Sequence, residues 1–204
     1  MKVGIMGGTF DPIHIGHLIL GESAYTQFSL DKVLFMPSGN PPHKQKRDGA
    51  SNEQRTEMVR RAIEGNDHFE LSLEEMHEEG YTYTRETLSR LTAQNPDTEY
   101  YFIMGADSLL QFDTWKCPGE IAKLCVIVAA VRDGMPSAEL DEVIERMKAK
   151  YKADIRKLTS PNLDISSHMI RQWVRQGDSI RYYVPESVRT YIYDNEVYTC
   201  STIS

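Results

Sequence analysis

Residues 7–18, Gly7-Gly8-Thr9-Phe10-Asp11-Pro12-Ile13-His14-Ile15-Gly16-His17-Leu18, combine bare backbone with the side chains that an anion requires. Glycines let main-chain N–H groups approach a phosphate, Thr9 adds a hydroxyl, and His14 and His17, three positions apart around a helix start, can converge on one oxyanion. Gly16 between them would let a ligand pack against backbone. The pattern is neither the dinucleotide G-x-G-x-x-G fingerprint nor a Walker loop with Lys-Ser/Thr. Zinc is another use of a histidine pair, but H-x-x-H without a glutamate or a third nearby ligand is a weak zinc signal. Taken alone, a Gly-rich turn carrying two surface histidines accounts for the same residues.

A second anion site is legible in Ile165-Ser166-Ser167-His168-Met169-Ile170-Arg171. Here a serine N-cap precedes a helix, Ile165 and Ile170 stand at staple positions, and Gly177 closes the far end. Such an N-terminus offers free N–H groups and the positive end of the helix dipole, and Arg171 near the end of the first turn can add a guanidinium. The alternative is an ordinary capped helix with a solvated arginine.

The elements that must carry these groups follow from periodicity. Short apolar runs at 2–6, 32–36, 100–104 and 124–131 read as strands buried on both faces, with a last strand at 154–158. Between them lie helices at 18–28, at 52–64 (opened by Ser51 and Gln54 and closed by Gly65), at 85–92, and around Leu140, Val143, Ile144 and Met147. Helices at 167–176 and 187–193 follow. Strands alternating with helices predict an α/β fold of βαβ units, a Rossmann-like parallel sheet with helices on both faces. The expectation is a single domain over 1–204, with an α/β core at 1–160 and a small C-terminal helical part at 161–204. The loop 38–50, rich in Pro, Gly and charge, is the expected mobile segment.

Composition narrows the partners. With 23 basic and 30 acidic side chains the net charge is -7, which argues against nucleic acid. The longest apolar stretch, 124–131, is too short to span a bilayer. Three cysteines, Cys117, Cys125 and Cys200, without a C-x-x-C pair, suggest a reducing compartment and hence a cytoplasmic location. Positive charge gathers in Lys44, Lys46 and Arg47 and in Arg171, Arg175 and Arg181; acidic charge gathers in Glu70, Glu74, Glu75, Glu78, Glu79 and 139–145, expected on solvated faces.

Residues 7–18 resemble the (H/T)xGH signature of the nucleotidyltransferase superfamily, and 165–171 resemble its ISSTxIR triphosphate motif, with His168 where Thr is usual. Four middle features are similar to the bacterial nicotinate mononucleotide adenylyltransferase family: Pro37-Ser38-Gly39-Asn40-Pro41-Pro42-His43-Lys44, Tyr81-Thr82-Tyr83-Thr84 with Glu86, Thr87 and Leu88, Gly105-Ala106-Asp107-Ser108, and Phe112-Asp113-Thr114-Trp115. The stretch 179–185 with Tyr191-Ile192 matches that family's ending.

The resemblance implies adenylyl transfer from ATP to nicotinate mononucleotide, giving deamido-NAD and pyrophosphate in NAD biosynthesis. It implies an ATP site at Gly7, Gly8, Thr9, Phe10, His14, Gly16, His17, Gly105, Asp107, Ile165, Ser166, Ser167 and Arg171, with His14, His17 and Arg171 catalytic. It implies an acceptor site at Gly8, Asn40, Lys44, Tyr83, Thr84, Asp107, Phe112, Trp115 and Arg132. Mg2+ would arrive held mainly by the ATP phosphates, with no metal site of the protein's own, and the resemblance leaves room for a homo-oligomer. Nicotinamide mononucleotide and phosphopantetheine are the alternative acceptors. A non-catalytic adenine-nucleotide sensor is the alternative of another class.

Overall fold

Six short segments pair side by side, all in parallel: β1 (Lys2–Gly8), β2 (Lys32–Pro37), β3 (Phe69–Leu71), β4 (Glu99–Gly105), β5 (Val126–Ala130) and β6 (Ile155–Leu158). Their order across the sheet is β3-β2-β1-β4-β5-β6. The chain moves outward from β1 in one direction and then in the other, so a crevice opens beyond the carboxyl ends of β1 and β4, where doubly wound folds bind ligands. The structure is a computed structural model and describes residues 1–39, 49–76, 81–130 and 137–199.

Side chains alternate across the sheet as strand geometry requires. Ile5, Phe102 and Ile127 enter one apolar core, and Met6, Ile103 and Val128 enter the other. Both faces must therefore be covered, which is why the strands read as nearly unbroken apolar runs. One face is closed by α1 (Ile15–Phe28), α2 (Asn52–Ile63), α7 (Ser167–Gln176) and α8 (Glu186–Asp194), whose Ala24, Met58, Ile170 and Val188 share that core. The other is closed by α3 (Thr84–Gln94), α4 (Ala106–Leu110), α5 (Pro118–Leu124) and α6 (Ser137–Tyr151), through Leu88, Leu109, Ile121 and Val143.

The expected caps are present. Ser51 and Gln54 exchange hydrogen bonds at the start of α2, Gln54 N–H to Ser51 Oγ at 3.2 Å and Ser51 N–H to Gln54 Oε1 at 2.9 Å. At the end of α7, Gly177 takes the left-handed conformation (φ 77°) and Asp178 N–H returns to Trp173 O at 2.8 Å.

The structure departs from the expectation in several places, among them the short helices α4 and α5, which the sequence reading does not contain. β3 was not foreseen, because its three residues, Phe-Glu-Leu, are too few to show alternation. The run at 124–131 is divided: Leu124 ends α5, and pairing begins at Val126. α1 starts at Ile15 instead of residue 18, since His14 already takes the extended N-cap conformation. Among the described residues no helix is long and apolar enough to cross a membrane.

Candidate active site

The loop leaving β1 is shaped by Phe10. This residue has a left-handed backbone (φ 49°) and a buried ring that meets His17 edge-on at 5.0 Å and lies 6.1 Å from Phe35. Its side chain supports the loop from below, so only its main chain remains for a ligand. His14 is buried, and His17 is half-exposed one turn along. Their rings lie 3.7 Å apart, and His14 N–H donates to His17 Nδ1 at 3.2 Å. Gly16 has a sharper reason than ligand access: a Cβ there would stand 3.0 Å from His14 Nδ1, so any side chain would push on that ring.

The second motif docks directly on the first. Ser166 Oγ accepts from Met169 N–H at 3.2 Å as the N-cap of α7, while Ser167 Oγ donates to Pro12 O at 2.9 Å. Arg171 Nη1 donates to Asp11 O at 2.6 Å and lies 3.8 Å from Asp11 Oδ2. Residues more than 150 positions apart thus form one donor-rich surface, built from an imidazole pair, a guanidinium and a helix N-terminus. Ile165 is half-buried against the core below it, and His168 is exposed on the first turn.

Beside this surface, at the predicted crevice, lies a cavity of about 600 Å³. Gly7, Gly8 and Thr9 of the phosphate loop line it, and so do Tyr83, Thr84 and Trp115. Thr84 begins α3, in which Glu86 and Thr87 N–H reach the N-cap carbonyl Tyr83 O at 2.9 and 3.2 Å while helix geometry leaves the N–H groups of Thr84 and Arg85 without an intrahelical acceptor. Trp115 is held edge-on against Phe102, with centroids 6.0 Å apart, and 5.6 Å from Phe112.

Other expected residues fall elsewhere. Phe112 is 0% exposed and absent from the cavity wall; it opens the short 3-10 turn Phe112–Thr114 after α4, and its ring packs in the core 5.6 Å from that of Trp115, where an apolar ring is worth more than at a polar site. Asp107 is exposed in the first turn of α4, just after Gly105, and does not line the cavity. Glu75, expected on a solvated face, lines the cavity and accepts from Thr87 Oγ1 at 2.8 Å. Asn40, Lys44 and Arg132 lie outside the described residues, as do Cys200 and 40–48 of the loop.

Two residues at the site were missed. Lys116 lines the cavity with Nζ 3.9 Å above the Tyr83 ring and 2.7 Å from Glu86 Oε1. Its signal was available as a cation adjacent to Trp115. Arg55 is a 3% exposed arginine on α2 that donates to Ser38 O at 2.7 Å, Asn52 Oδ1 at 2.7 Å and Thr9 O at 2.5 Å. Burial lowers its pKa, and the nearby Asp11 charge opposes that. Its signal was an arginine in register with Met58, Val59 and Ile63 on the apolar face of a helix.

The described residues contain no group of three or more His, Cys, Asp or Glu placed to hold a metal ion. The charged and imidazole side chains at the phosphate surface are His14, His17 and Arg171, with the Asp11 carboxylate turned to Arg171, a set that suits an oxyanion better than a bare cation.

A Rossmann strand order with a donor-rich loop after β1 and a helix N-terminus docked on it defines a nucleotidyltransferase-type α/β protein, and a cytidylyltransferase-like family model matches residues 5–173. Relatives extend over nearly the whole chain. A probable nicotinate-nucleotide adenylyltransferase of Lachnoclostridium phytofermentans is 45% identical over 197 residues, covering 97% of this chain and 98% of that protein. One of Thermoanaerobacter sp. is 44% identical, with 97% and 94% covered. The chain belongs to the nicotinate-nucleotide adenylyltransferase family. Its fold is that of Plasmodium falciparum nicotinic acid mononucleotide adenylyltransferase, solved in complex with NaAD (TM-score 0.81, 18% identity, 97% of each chain).

Proposed function

We propose that the protein transfers the adenylyl group of ATP to nicotinate mononucleotide, yielding nicotinate adenine dinucleotide and pyrophosphate, a step of NAD biosynthesis. The observation that carries this reading is the cavity next to the phosphate loop: its lining joins the loop to an indole, Trp115, and to the N-terminus of α3 at Thr84. A flat cationic pyridine ring suits the indole, and a carboxylate suits the helix N-terminus and the neighbouring Lys116.

In the reaction a phosphate oxygen of the mononucleotide forms a bond to the α-phosphorus of ATP in line with the bond that breaks to release pyrophosphate. The attacking phosphate is already ionised near neutral pH, so no general base and no covalent enzyme intermediate are needed. Catalysis is alignment plus stabilisation of charge on the phosphoryl oxygens. With its Nδ1 accepting from His14 N–H, a neutral His17 carries its proton on Nε2 and presents it as a donor. His14, Thr9, Ser166, Ser167 and Arg171 complete the proposed phosphate cradle, Lys44 is assigned to it as well, and Gly105 and Asp107 are assigned to the nucleoside. Asn40 and Arg132 are assigned to the acceptor.

A divalent cation such as Mg2+, carried in on the triphosphate, would supply neutralisation of charge on the leaving group, while His14, His17 and Arg171 would hold the phosphate oxygens. Pyrophosphate release from ATP, compared with nicotinate mononucleotide, nicotinamide mononucleotide and phosphopantetheine as acceptors, tests the proposal; turnover with the acid mononucleotide is expected to dominate.

A further inference from the structure

The loop that carries Thr9 and His14 has no regular secondary structure between β1 and α1, so something else must hold it. Asp11 is where the restraints meet. Its Oδ1 accepts from Ala50 N–H at 2.9 Å, its Oδ2 faces Arg171 Nη1, and its main-chain oxygen accepts from the same Nη1. A further bond comes from far along the chain: the Tyr198 hydroxyl, in the segment after α8, donates to Asp11 Oδ1 at 2.7 Å. Tyr198 is buried, and its ring belongs to the same core as Phe10 and Ile170. Burial and the Asp11 charge both push the phenol pKa up, against Arg171 and Arg55, so the hydroxyl stays protonated and remains a donor.

A carboxylate bonded on one oxygen by two fixed donors can rotate little, and its other oxygen then sets where the guanidinium opposite it rests. Among the described residues Arg171 contacts Asp11 through a single nitrogen, Nη1, which leaves the rest of its fork to meet a phosphate.

We propose that Tyr198 is a positioning residue for triphosphate binding, acting through Asp11 on Arg171 and on the loop that carries the histidines. The inference rests on the adenylyl-transfer reading for its substrate, but it concerns phosphate binding and can be measured without turnover.

Tyr198→Phe deletes one hydroxyl and keeps the ring. It is expected to raise the KM for ATP, and the Kd for inorganic tripolyphosphate measured by calorimetry, by about fivefold to tenfold, the scale of one ordinary intramolecular hydrogen bond, while the KM for nicotinate mononucleotide stays within about twofold. Asp11→Asn, which removes the charge opposite Arg171, should reproduce the split, and it carries the same comparison should Tyr198→Phe not fold. A lowered melting temperature with unchanged tripolyphosphate affinity would mean a purely structural tyrosine and overturn the proposal. So would an equal rise in both KM values, or a wild-type protein that binds no tripolyphosphate. If the wild type turns over no acceptor yet loses tripolyphosphate affinity on Tyr198→Phe, adenylyl transfer fails and the positioning role stands.

Discussion

The main-chain N–H of His14 donates to Nδ1 of His17 across 3.2 Å, and the two imidazoles lie 3.7 Å apart, tilted by 32°. One contact closes the first turn of α1 and fixes which nitrogen of His17 carries the proton. His17→Ala is expected to lower kcat by about 10²-fold or more, the scale of losing one oxyanion donor. Pyrophosphate release under saturating substrates measures it, and near-normal turnover would remove His17 from the chemistry.

Trp115 stands on the cavity wall, outside the phosphate loop and its docked helix. Trp115→Ala should therefore raise the KM for the mononucleotide with much less effect on that for ATP. Equal weakening of both substrates in steady-state kinetics would count against a stacking role for the indole.

Arg55 ties the main chain of Thr9 to that of Ser38 from below. Arg55→Leu leaves those part-buried carbonyls without their donor, and a loss of about 1–3 kcal/mol in unfolding free energy is expected from leaving them unsatisfied. Arg55→Lys should recover only part of it, because an ammonium cannot reach several carbonyls in one plane. Urea unfolding of the two variants provides the comparison; a Leu variant as stable as the wild type would show that the guanidinium holds nothing.

Burial pushes the Cys125 thiol from 9.0 up to about 12. In the folded chain it stays neutral while the unfolded chain ionises, so its contribution is fully present below pH 9 and is lost as the pH rises toward 12. Cys125→Ala should lose stability less steeply between pH 9 and 10.5, by up to about 1.4 kcal/mol per pH unit. Parallel curves for the two proteins in alkaline denaturant titrations would refute this.

What could be read from the residues alone was local. The glycine and histidine spacing of 7–18 and the Ser166, Ser167 and Arg171 cap are short-range patterns, and the sheet with helices on both faces followed from uninterrupted apolar runs. Pairings between distant residues stayed hidden: Tyr198 and Asp11 are 187 positions apart, and no periodicity links them. Arg55 was passed over because a charged residue on a helix ordinarily belongs to the solvated face. Phe112 was assigned to the acceptor because a motif gives the order of residues and not the side on which each one points. α4 and α5 were missed because five and seven residues are too few to repeat a helical period.

Adenylyl transfer to the acid mononucleotide is tested most directly by the rate of pyrophosphate release from ATP with nicotinate mononucleotide, nicotinamide mononucleotide or phosphopantetheine as acceptor, at equal enzyme concentration. The highest kcat/KM is expected with nicotinate mononucleotide, with nicotinate adenine dinucleotide formed in step with pyrophosphate. Preferred turnover of another acceptor, or none with any of the three, would overturn it.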